Sequence, residues 1–71
     1  MMTMEEIHAR LRRDMAEEKA GADTYLEMAK CAEAHGEEDL ALGLFMMAAD
    51  EKSHYEFIKS YTDEYMEKQR A

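Results

Sequence analysis

The sequence predicts an all-α protein, a two-helix antiparallel hairpin that dimerises into a four-helix bundle. Three observations carry this expectation. The 71 residues contain no proline and only three glycines, while Ala, Glu, Met, Lys and Leu, all good helix formers, dominate. Apolar residues recur at helical spacing on both sides of one break, His35-Gly36. A lone hairpin of this size buries a single stripe per helix, so a second copy is the smallest unit that covers both stripes.

The first helix is expected over residues 3–34. Thr3 followed by Glu6 fits a capping box, in which the hydroxyl and the carboxylate each satisfy a free backbone N–H. His35-Gly36 reads as a stop, with Gly36 free to adopt the left-handed conformation that ends a helix. The second helix is expected over 37–69. Glu37, Glu38 and Asp39 put negative charge in its first turn, and Lys68 and Arg70 put positive charge in its last. Each helix is then roughly 50 Å long at about 1.5 Å per residue. Residues 1–71 read as one domain without linkers, internal repeats or low-complexity segments.

Charge and composition exclude several functions. A net charge of −8 opposes nucleic-acid binding, and the one basic cluster, Arg10-Leu11-Arg12-Arg13, is short and reads as a solvated face. The longest uncharged run, Leu40 to Ala49, is ten residues, too short for a membrane span or signal sequence. A cytoplasmic protein is the expectation. One cysteine, Cys31, permits no internal disulfide and no Cys-x-x-Cys metal knuckle. Extra stability must come from oligomerisation or a bound metal.

Spacing then singles out polar residues on apolar seams. In the first helix the seam reads Met4, Ile7, Leu11, Glu18, Ala22, Tyr25, Ala29, Ala32; in the second it reads Leu40, Leu44, Met47, Glu51, His54, Ile58, Tyr61, Tyr65. Glu18, Glu51 and His54 are therefore expected to face inward. Burying unpaired carboxylates costs several kcal/mol each, and no Lys or Arg shares the seam at that level. Glu18 lies 18 residues before Gly36, Glu51 lies 15 after it and His54 lies 18 after it, so an antiparallel hairpin brings all three to one height. In a dimer, four Glu and two His would meet, and two divalent cations would balance the charge with oxygen and imidazole ligands.

These residues resemble the ferritin-like di-iron carboxylate proteins, whose bundles take a Glu from each of two helices and a Glu-x-x-His from each of the others. The segments "EKAGADTY" (Glu18 to Tyr25) and "AADEKSH" (Ala48 to His54) look most like rubrerythrins. The resemblance implies a ferritin-like four-helix bundle in which Glu18 and His54 are metal ligands and Glu51 is a bridging one. It further implies that Tyr25 hydrogen-bonds near the site and that Asp50 orients the other half's histidine. It covers one hairpin, half of a rubrerythrin bundle. The chain is also similar to encapsulated ferritins, short two-helix chains that build a di-iron site across a subunit interface; their compartment-addressing C-terminal extension has no counterpart in these residues.

The expected cofactor is iron, two ions per dimer, with manganese or zinc as substitutes on the same ligands. The expected function is reaction of that pair with O₂ or peroxide, as a ferroxidase in iron handling or as a peroxide reductase supplied by an external electron donor. The competing reading is a structural or interaction bundle whose Glu18, Glu51 and His54 form a hydrogen-bonded polar layer without redox role. Asp50 is equally readable as solvated, and Tyr25 as core. His8 and His35 lie off the seams and are expected at the surface, Cys31 is expected to pack, and the eight methionines read as flexible filling. Leu42, Phe45 and Ala49, with Met46 adjacent, form a second apolar stripe that favours assembly beyond the dimer.

Overall fold

A computed structural model of the chain describes residues 1–70. It contains two helices, α1 (Met4–Ala34) and α2 (Glu38–Arg70), and no strand among the described residues. The capping box is formed: the Glu6 amide donates to Thr3 Oγ1 at 3.1 Å, and the Thr3 amide donates to Glu6 Oε1 at 3.2 Å. At the other end of α1, Gly36 sits at φ 78°. The Glu37 amide reaches the Ala32 carbonyl at 2.9 Å and the Gly36 amide reaches the Glu33 carbonyl at 3.0 Å. This is the paired bond pattern by which a left-handed glycine closes a helix. The chain then reverses at once, giving a rod of 53 × 23 × 13 Å.

The two helices meet on small side chains near the turn. Ala29 and Ala32 of α1 and Ala41 and Leu44 of α2 form the buried core, with Tyr25 and Phe45 packed against it. Further along, α2 turns Ala48, Glu51, Tyr55, Ile58, Thr62 and Tyr65 toward α1, all at least half-buried. Steps of three and four from Ala41 to Tyr65 define this inner row.

That row differs from the expected one. Leu44, Glu51, Ile58 and Tyr65 belong to both, but Leu40, Met47, His54 and Tyr61 are exposed, and their following neighbours Ala41, Ala48, Tyr55 and Thr62 are covered instead. Two helices in contact cover a narrow stripe, whereas the apolar pattern of α2 is wide enough to address two neighbours. Met4, at 56% exposure, likewise lies outside the stripe on α1. His8 departs in the opposite sense. Expected at the surface, it is buried, with its ring stacked on Tyr65 at a centroid distance of 3.9 Å and 9° between planes. A flat ring fills the space between the helices where alanines no longer hold them together. His8 Nδ1 and the buried Thr62 Oγ1 have no hydrogen-bond partner.

Among the described residues no large side chain is fully buried. The chain exposes 5645 Å², about 1,000 Å² more than the roughly 4,600 Å² of a compact monomer of its mass. Large apolar side chains account for much of what is open: Leu40, Leu42, Met46, Phe57 and Tyr61 are each more than half exposed. No helix among the described residues is long and apolar enough to cross a membrane.

Candidate metal centre

Glu18 and Glu51 come from the inner faces of α1 and α2 at mid-length, and both are half-buried. Glu18 Oε2 lies 3.5 Å from His54 Nδ1. Among the described residues this is the one ion pair that joins the two helices. The others, Arg10–Asp14, Lys59–Asp63, Lys68–Glu64 and Arg70–Glu67, stay within a single helix and are largely exposed, where such pairs contribute little.

The two carboxyls are in contact. The Glu51 carboxyl is pushed above the usual carboxylate range, first by a hydrogen bond with Glu18, then by burial and by the Glu18 charge. Asp50 adds to the rise and His54 opposes it. Two ionised carboxylates have acceptors only, so their proximity favours the protonated form of Glu51. Glu18 Oε2 is itself an acceptor shut away from solvent with no hydrogen-bond partner.

The closeness depends on a gap in α1. A Cβ built on Gly21 would lie 2.9 Å from Glu51 Oε2 and 3.4 Å from its Cδ. The absent side chain is the space the carboxylate occupies. Reading spacing alone, Gly21 is a mild blemish in a helix; only the packed partner reveals what it admits.

His54 is the correction at this site. Expected inward, its side chain is 63% exposed, against 25% for Glu18. It reaches Glu18 from the flank of the hairpin, with most of its ring facing outward. Asp50 is exposed. Tyr25 packs against the alanine–leucine core nearer the turn, the reading that made it core. Cys31 is exposed, with Sγ 3.8 Å from His35 Nδ1, and that nitrogen lies 2.9 Å from the Cys31 carbonyl oxygen.

Within one chain the ligand set is short of a cage. Among the described residues no three His, Cys, Asp or Glu side chains converge tightly enough to hold an ion. What is present is an acceptor-rich pair with an imidazole at its outer edge, suited to a hard or borderline divalent cation. The orphaned Glu18 oxygen is what a cation would satisfy. Compared with known protein families, curated proteins and solved structures, the chain finds no match.

Proposed function

We propose that two copies of this chain pack their open faces together and bind a pair of irons between them, as a ferritin-like di-iron protein. The observation that carries the reading is the Glu18–His54 contact at mid-length, with the Glu51 carboxyl beside Glu18 and a buried Glu18 oxygen left without a donor. The exposed flank of α2 supports a second copy. His54 sits in a row with Leu40, Met47 and Tyr61, three large apolar side chains that one hairpin leaves in water. The surplus surface of about 1,000 Å² is what one partner contributes to an ordinary stable interface, about 800 Å².

In this reading Glu18, Glu51 and His54 of each chain would hold the metals. A cation would displace the Glu51 proton, so binding would weaken as pH falls. Bound iron would supply electrons for the reduction of O₂ or peroxide, serving either iron oxidation or peroxide reduction with an external donor. Manganese or zinc would fit the same oxygen and nitrogen ligands. The second apolar stripe, where Leu42 and Met46 are each more than 60% exposed, supports association of dimers into a larger homo-oligomer. A cytoplasmic location accords with one unpaired thiol.

The test is anaerobic Fe(II) titration with native mass measured in parallel. Uptake near one iron per chain on a dimer or larger assembly is expected, with a rise in melting temperature by mass action. Absence of uptake would leave the polar-layered structural bundle as the reading. Glu51→Ala is expected to abolish iron oxidation while the protein stays a helical dimer. Wild-type oxidation kinetics in that variant would remove Glu51 from the ligand set.

A further inference from the structure

We infer that Gly21 is a positioning residue, a notch in α1 that seats the Glu51 carboxylate against Glu18; the inference rests on the metal-binding reading of these residues. Two helical glycines invite comparison. Gly43, in α2, has nothing within 4 Å of the place its Cβ would occupy, whereas a Cβ on Gly21 would stand 2.9 Å from Glu51 Oε2. Glycine at an interior helix position lowers helix stability relative to alanine. At Gly43 an added methyl meets open space. At Gly21 it meets the end of a long side chain.

That side-chain end is mobile, so the fold absorbs the methyl by rotating Glu51 away. The group that has to rotate is the proposed ligand. Gly21→Ala therefore spares the hairpin and disturbs the site, which separates positioning from a packing role. The Glu18 oxygen, already without a donor, would lose its carboxyl neighbour as well.

The experiment compares Gly21→Ala, Gly43→Ala and the unaltered chain by calorimetric titration with Mn(II) and by thermal melting of the metal-free protein. Gly43→Ala is expected to raise the melting temperature by about 4–8 °C through helix propensity and to keep wild-type Mn(II) affinity. Gly21→Ala is expected to keep the dimeric mass and to raise the melting temperature by less than Gly43→Ala does, while its Mn(II) affinity falls about tenfold or more. In a Glu51→Ala background the obstruction is gone, and Gly21→Ala should then raise the melting temperature as much as Gly43→Ala does. Wild-type Mn(II) affinity in Gly21→Ala would overturn the notch while leaving the metal site intact. An equal melting rise from Gly21→Ala in both backgrounds would also overturn it, because the methyl would never have met the carboxylate. Absence of Mn(II) uptake by the unaltered chain would instead fell the metal reading, and the notch with it.

Discussion

Two rows run down α2 one residue apart, each with a period of seven, and they have opposite fates. Ala41, Ala48, Tyr55 and Thr62 face α1, whereas Leu40, Met47, His54 and Tyr61 face outward. Size explains the choice. Alanines let two helices approach closely, and the hairpin closes where Ala29, Ala32 and Ala41 meet. The bulkier row is left in water, and it contains His54. A hairpin built to stand alone would invert this arrangement, because large apolar side chains contribute most when buried. The difference teaches that the inner row closes the hairpin while the outer row is left exposed by it.

The largest expected effect comes from charging the outer row. Met47→Glu would carry an unpaired carboxylate into the proposed interface, twice per dimer, and should weaken association about a hundredfold or more. Sedimentation or native mass across a dilution series checks this, with helicity by circular dichroism unchanged at high concentration. A dimer indifferent to Met47→Glu would assign the outer row to some other use.

The inner row offers a smaller effect at the open end of the hairpin. His8 stacks on Tyr65 with a buried, unpartnered Nδ1. His8→Phe keeps a flat ring and removes the orphaned nitrogen, so a gain of about 1 kcal/mol is expected. Denaturant unfolding measures it. A loss of that size would mean that His8 makes a polar contact through water that phenylalanine cannot replace.

The smallest effect concerns the level where the rows meet the site. Glu51 holds its proton to higher pH in the folded chain than an ordinary glutamate does, through its bond with Glu18. Its contribution to metal-free stability is fully present below the ordinary value of 4.5 and is lost as pH rises through the raised folded value. Glu51→Gln removes that titration. The difference in melting temperature between wild type and Glu51→Gln should therefore widen, against wild type, as pH climbs past this window. A difference that stays constant with pH would show that Glu51 does not hold its proton to higher pH in the folded chain.

Much of this was legible in the chain itself. Thr3 and Glu6 announce a capped start, Gly36 announces a stop, and the helices run between them because local hydrogen bonds decide such ends. The common height of Glu18, Glu51 and His54 follows from counting outward from Gly36, since a rigid rise per residue converts sequence distance into axial distance. Azimuth was less accessible. The apolar pattern of α2 spans two faces, and periodicity cannot say which face the first partner takes; for that reason it points Leu40, Met47, His54 and Tyr61 inward. Spacing leaves His8 at the surface because nothing around it in the chain signals that a tyrosine 57 positions later will stack on it.

The sequence by itself thus determined two helices, their ends, their antiparallel course and the level at which three candidate ligands stand. These depend on neighbours within a few residues and on fixed helical geometry. Only the tertiary structure decided that small side chains would close the hairpin, that His54 would stand at its outer edge and that Glu51 would lie in the space left by Gly21. Those outcomes depend on which side chains interlock across the two helices, and steric fit between distant residues is not written in the spacing of either.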